Sequence, residues 1–132
     1  MEPECYALLF ADRVITEDNG KKGLIGVFSA FNFPSFPAPS PPWFIYIAAT
    51  NLSGKHDFSV NLVRDESMQV LMPISGEINA QENNGNIEMI FPVMNLVFPK
   101  PGRHTLSFNI DGTMLAGRVL SVNLMPPANG RN

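Results

Sequence analysis

The sequence predicts an all-β fold, an antiparallel two-sheet β-sandwich of immunoglobulin-like or C2-like type with about eight strands. Apolar and polar residues alternate through 105–110 and again through 120–124, as expected for strands with one buried face. Turn residues recur at the spacing of short strands, and no segment shows the periodicity of a helix. A closed barrel remains the alternative, because a sequence does not show whether the outermost strands pair.

The N-terminal third predicts a pair of strands joined by a tight turn. The first strand covers 5–12, and its pattern continues to Thr16. Asn19 and Gly20 follow, a combination that tolerates the left-handed backbone of a hairpin turn. The return strand covers 23–29.

A proline-rich segment separates this pair from the next strand. Residues 31–42 contain five prolines, which remove backbone donors and disfavour both a helix and a central strand. We expect an ordered loop that crosses from one sheet to the other. Residues 43–50 are apolar on both faces, which predicts a strand at a central, buried position.

Two prolines mark the strands of the second half. Strands are predicted at 58–62 and 68–74, and Pro73 indicates that the second of these lies at a sheet edge or reaches the end of its ladder there. The apolar segment 87–98 is long, but Pro92 must break or bulge it, so we expect it to change sheet midway.

Turns and loops complete the prediction for the second half. Residues 76–86 are polar and predict an irregular loop with its tip at 83–85. Asp111 and Gly112 predict the turn of a closing hairpin.

The composition is that of one globular domain. We assign residues 1–125 to this domain and 126–132 to a flexible tail. Hydrophobic residues make up 45% of the 132 residues, enough for a core, and only 16% are charged, which argues against disorder. A net charge of −3 without a basic run argues against a nucleic-acid partner. An acidic N-terminus, a single cysteine and no stretch of ~20 apolar residues predict a cytoplasmic protein with no membrane partner.

Nucleophilic catalysis is not indicated. Both histidines, His56 and His104, lie beside predicted turns, and we expect both to face solvent. Neither belongs to a nucleophile-elbow motif. Cys5 lies in an apolar strand without cationic neighbours, so we expect a structural thiol.

Metal and cofactor sites are not indicated either. Three cysteine and histidine residues without pairing do not make a zinc site. Four acids near turns were weighed as calcium ligands, but no spacing concentrates them: Asp57, Asp65, Glu66 and Asp111. Three further acids flank a polar loop, and we expect them to keep it soluble rather than to supply the two carboxylates of a glycosidase: Glu77, Glu82 and Glu88. We therefore expect no metal and no cofactor.

Aromatic residues around the proline-rich segment are the remaining candidates. Phe33, Phe36, Trp43 and Tyr46 could present their rings to a partner peptide or a sugar, with prolines holding the loop rigid. The favoured alternative is that the rings plug one end of the sandwich. Burial of Trp43 would favour the plug, and exposure would favour binding.

Parts of the chain resemble a family of short bacterial proteins classed as a domain of unknown function. The resemblance covers nearly the whole chain and rests on the N-terminal strand pair, the proline crossover and the final turn: residues 5–14 (CYALLFADRV), 19–21, 24–28, Phe36-Pro37, Pro41-Pro42 and Pro101-Gly102. It implies a stand-alone cytoplasmic β-sandwich, and it carries over neither an activity nor catalytic residues.

These patterns favour a non-enzymatic interaction module. We expect it to bind a protein partner, or itself as a homodimer, through a sheet edge or the loop 31–43. The alternative is a small-molecule or carbohydrate-binding module that uses the aromatic-proline loop. The weakest alternative is an enzyme in which the fold brings Asp12, Arg13 and His56 together.

Overall fold

The computed structural model describes residues 2–80 and 85–126, which form strands and turns without an α-helix. Eleven strands lie in this described part: β1 (Glu4–Thr16), β2 (Lys22–Phe28), β3 (Ala30–Phe33), β4 (Ala38–Pro39), β5 (Trp43–Thr50), β6 (Lys55–Arg64), β7 (Gln69–Asn79), β8 (Ile87–Val93), β9 (Val97–Phe98), β10 (Gly102–Ile110) and β11 (Thr113–Leu124). The all-β prediction is confirmed. The strand number exceeds the expected eight because β3, β4 and β9 are very short.

The strands form two main sheets that pack face to face. The four-stranded sheet has the order β2-β1-β5-β8, and the five-stranded sheet has the order β3-β11-β10-β6-β7. Strands β4 and β9 form a small separate pair. Pairing is antiparallel throughout the two main sheets except between β3 and β11, which run parallel.

The core lies between the inner faces of the two sheets. Phe10, Ile45 and Ile47 come from the four-stranded sheet, and Leu62 and Phe108 come from the five-stranded sheet; all are fully buried. Each such side chain contributes about 1.5–3 kcal/mol relative to an exposed one. Alternation along the strands directs these residues inward and their neighbours outward.

The prediction for Pro73 is confirmed, whereas β8 passes through Pro92 in register with β5, without the break or bulge predicted at that proline. Pro73 lies in β7, the edge strand of the five-stranded sheet, and Pro92 lies in β8, the edge strand of the four-stranded sheet. At an edge, a proline removes no ladder hydrogen bond. The segment 87–98 leaves the four-stranded sheet after Val93 and pairs with β4 through β9, so it does change partners midway.

Two local predictions need correction. The polar segment from Gly76 to Asn79 is not a loop, because it continues β7 in register with β6. The proline-rich segment does cross between the sheets, but its first residues form β3 beside β11. The predicted loop tip at Asn83 and Asn84 and the predicted tail from residue 127 onward lie outside the described residues.

No helix long and apolar enough to cross a membrane occurs in residues 2–80 or 85–126.

Candidate functional site

Trp43 belongs to an aromatic cluster inside the sandwich rather than to its surface. Its indole is fully buried and meets the ring of Phe10 edge-on at 5.5 Å and the ring of Phe31 edge-on at 5.7 Å. Phe33 and Phe36 pack edge-on at 5.9 Å and lie half-buried against the core. Edge-on pairs of this kind stabilise packing beyond the area they bury.

The four predicted binding residues therefore do not share one surface. Trp43 faces inward, whereas Tyr46 occupies an alternate position of the same strand and projects from the opposite face. Burial of Trp43 favours the interpretation in which these rings plug one end of the sandwich, because its strand directs the indole into the core. Binding of a ligand by Phe33, Phe36 or Tyr46 stays a prediction.

His104 is not a solvent-facing turn residue, which corrects the prediction. It is fully buried in β10, and its ring meets Phe98 edge-on at 5.2 Å. Nδ1 lies 3.0 Å from the carbonyl oxygen of Gly102 and must donate to it, because a carbonyl only accepts. Burial lowers the pKa of His104, so the ring is neutral at physiological pH.

The prediction for His56 also needs correction, because the residue lies in β6 and both of its ring nitrogens have hydrogen-bond partners. Nδ1 lies 2.7 Å from Oδ2 of Asp111, and Nε2 lies 2.8 Å from the carbonyl oxygen of Ser53. Both partners accept, so the doubly protonated imidazolium satisfies them, and the hydrogen bond that His56 donates to Asp111 raises the pKa of His56. Neither nitrogen is left to act as a general base.

The acids weighed as calcium ligands lie at the two ends of β6. Asp111 accepts from His56 and from the backbone of Asp57 at one end. Asp65 binds Thr105 and Arg103 at the other end. Residues 2–80 and 85–126 contain no group of three or more side chains that could hold a metal ion.

The remaining catalytic alternatives are not assembled in the described residues. Glu77 and Glu88 project from the outer faces of different sheets, as their registers with Asp57 and Ala48 show, and Glu82 lies outside the described residues. Asp12 and Arg13 point to opposite faces of β1, and His56 is bonded to Asp111 and Ser53 instead.

The outer face of the four-stranded sheet is the most unusual surface of the molecule. Neighbours in register place apolar side chains from all four strands on it, and we call this set the apolar face: Leu9, Ala11 and Ile15 of β1, Ile25 and Val27 of β2, Phe44, Tyr46 and Ala48 of β5, and Ile90 and Pro92 of β8. Val27 is 52% exposed, Ile15 and Ile25 are also exposed, and Ala11 and Ala48 are fully buried among their neighbours. Contiguous apolar patches of this size mark interaction surfaces.

The polar groups of the apolar face are few and lie near two of its corners. Arg13 is exposed, and it makes no hydrogen bond or ion pair with another described residue. At the opposite end, the hydroxyl of Tyr46 donates to the carboxylate of Glu88. Desolvation is the main cause that raises the pKa of the Tyr46 hydroxyl, and the hydrogen bond to the Glu88 carboxylate raises it further.

The outer face of the five-stranded sheet is polar by comparison. Ser107 and Asn61 lie opposite each other on it, and the Asn109 amide donates to Ser59 across 2.9 Å on the next row. Cross-strand hydrogen bonds of this kind satisfy polar side chains within the chain, so these side chains need no binding partner.

One sequence signal could have identified the apolar face. Residues 43–50 predict a strand buried on both sides, whereas β5 is central in its sheet and its outward residues Phe44 and Tyr46 remain partly exposed. Apolar outer positions in a central antiparallel strand indicate either a covering layer or an exposed apolar surface. Residues 2–80 and 85–126 contain no α-helix to supply that layer.

Comparisons with known proteins identify a family but no activity. A family model described as a family of unknown function (DUF6941) matches residues 6–123. The search of curated proteins finds no match. A solved structure of Pseudomonas fluorescens alkylpurine DNA glycosylase AlkC, bound to DNA containing an abasic site analog, is similar with a TM-score of 0.53 and 9% identity. The similarity covers 92% of this chain and 30% of that one, and at this identity it shows the fold alone.

Proposed function

The chain belongs to this family of unknown function, and from its surface we propose that it is a non-enzymatic protein-interaction or self-associating module. The observation that carries the proposal is the apolar face, which lies on one side of the sandwich while the opposite side is polar. A sandwich that only had to fold would be served by two polar outer faces.

The sheet edges are poorer candidates for this binding than the apolar face. Pro92 and Pro73 remove backbone donors from β8 and β7, and β3 is only four residues long. At the remaining edge, Gly26 takes a left-handed φ of 72° within β2, which interrupts the flat backbone that edge pairing needs. These features protect a sheet against edge-to-edge pairing and leave its face available.

The carbohydrate-binding alternative has less support. It depended on Trp43 as a stacking platform, and the buried indole offers no surface to a sugar. Tyr46 lies on the apolar face, where its hydroxyl is bonded to Glu88.

The proposal is tested with a matched pair of surface variants. Val27 and Val70 lie in edge strands of different sheets and are exposed to nearly the same extent, 52% and 50%. Only Val27 belongs to the apolar face. We expect Val27→Asp to abolish capture of a binding protein from host extract, because a charge buried in an interface is strongly unfavourable. Val70→Asp should capture the same binding protein as the wild type does.

Any protein captured by the wild type and by Val70→Asp but not by Val27→Asp is then purified and titrated against these three forms of the chain. Direct binding by the wild type and by Val70→Asp, with loss for Val27→Asp, supports the proposal. Equal capture by all three forms contradicts it.

A further inference from the structure

Resting on the proposed function, we infer that the occupant of the apolar face is a second copy of this chain, bound face to face as a reversible two-fold dimer. Three observations on the apolar face support this identity: its size, its charges and the state of the neighbouring edges.

The size of the apolar face fits a weak dimer. Four strands spaced ~4.8 Å apart, each with about six residues of ~3.4 Å, give a flat area of about 400 Å². Two such faces bring together about 800 Å², and projecting side chains raise this to near the roughly 1,000 Å² that a specific interface needs. The area is below that of a permanent dimer, so we expect concentration-dependent association in the micromolar range.

The charges of the apolar face complement a copy of themselves. The outer face of the four-stranded sheet carries one cation, Arg13, and two anions, Glu88 and Glu4, which both lie at the opposite end of the strands. A two-fold axis that reverses the strand direction turns the Arg13 end of each copy toward the Glu88 end of the other. Arg13 has no partner among the described residues of its own chain, and the second copy would supply one.

The edges exclude the competing form of self-association. Edge-to-edge pairing would extend one sheet across two copies, but the edges carry Pro73, Pro92 and the left-handed Gly26. Face-to-face packing needs no backbone donor, so these features do not oppose it.

The experiment measures sedimentation from about 1 µM to about 500 µM for the wild type, Val27→Asp and Val70→Asp. We expect a monomer–dimer equilibrium in the wild type and at least about a tenfold higher dissociation constant in Val27→Asp. Val70→Asp should remain within about twofold of the wild type. A wild type that stays monomeric, or a dimer that Val27→Asp does not weaken, overturns the inference.

A charge swap identifies the second copy directly. Arg13→Glu and Glu88→Arg should each weaken association by about tenfold, because each homodimer then faces like charges. Mixed in equal amounts, the two variants form a heterodimer in which residue 13 of each copy again meets an oppositely charged residue 88, so association should return. Mixtures that associate no better than either variant alone contradict the two-fold arrangement.

These outcomes separate the inference from the proposed function. A monomeric wild type that still captures another protein through Val27 leaves the interaction module standing and removes the second copy as its occupant. A monomeric wild type with no Val27-dependent capture removes both. Circular dichroism of each variant shows whether it is folded, and the Arg13 variant, altered at an exposed position, replaces Val27→Asp if the latter is not.

Discussion

The two outer faces of the sandwich differ although the inner faces are alike. On the five-stranded sheet, Ser59, Asn61, Ser107 and Asn109 are the outward neighbours of core residues, and the Asn109 amide donates to Ser59 across strands. On the four-stranded sheet, the equivalent outward positions of β5 carry Phe44 and Tyr46. Both sheets bury one face, so the core does not require this difference. The apolar side is a surface for which folding alone gives no reason.

The largest expected effect separates the inner and outer faces of one strand. Trp43→Ala should lower the free energy of unfolding by about 3–5 kcal/mol, because it leaves a cavity among packed rings. Tyr46→Ala, at an outward position of the same strand, should lower it by about 1 kcal/mol. Urea unfolding at a low protein concentration measures both. Equal losses would show that the outer face is covered within the monomer.

An intermediate effect is expected when the polar face is made apolar. The pair Asn61 and Ser107 lie directly opposite each other, and Asn61→Val with Ser107→Ile should preserve the fold, because β-branched residues favour strands.

Each molecule of this double variant would then carry apolar surfaces on both sides, and we expect open-ended association in place of dimers. Light scattering as a function of concentration measures this association. As the control, Val27→Asp is introduced into the double variant, where it should prevent assemblies from growing beyond dimers. A double variant that forms dimers only would contradict the assignment of one apolar and one polar side.

The smallest expected effect concerns pH and the two histidines of the five-stranded sheet. Burial lowers the pKa of His104 below its ordinary value of 6.5, so the unfolded chain binds this proton more readily. Stability from His104 is therefore present above about pH 6.5 and falls as the pH drops toward 5.5. The backbone carbonyl of Gly102 accepts from its ring, and the charged groups that act on it are Arg64 and Asp65.

The contribution of His56 to stability depends on pH in the opposite direction. Its pKa is raised by Asp111, so its contribution is complete below pH 6.5 and is lost as the pH rises through the higher folded value. Acidification should therefore destabilise His56→Gln more steeply than the wild type, and His104→Gln less steeply. Thermal melts between about pH 5.5 and pH 7.5 give the slopes. Parallel slopes for all three proteins would show that neither histidine titrates differently on folding.

Local patterns were sufficient for most of the strands and turns. The turn at Asp111 and Gly112, with positive φ at both residues, was predictable because few residue types tolerate that backbone. Pro73 indicated an edge strand because a proline removes a donor that a central strand needs. Such signals act within a few residues, so they are present in the sequence itself.

The placement of the histidines was decided by contacts between distant residues. His56 and Asp111 are separated by 55 positions, and the pair exists only because β6 and the β10–β11 turn meet. His104 is buried because its side of β10 faces the aromatic cluster, although the adjoining turn suggested exposure.

The amino-acid sequence therefore determined most of the strands and turns and, through Pro73, the edge position of β7. Backbone conformational preferences and alternating hydrophobicity act locally, which makes these features readable. Only the tertiary structure decided which of the two apolar sides of β5 is buried. Both sides carry apolar residues, and the packing partner across the sandwich, built from residues 58–62 and 104–110, selects the side with Trp43, Ile45 and Ile47. The side that was not selected is the apolar face.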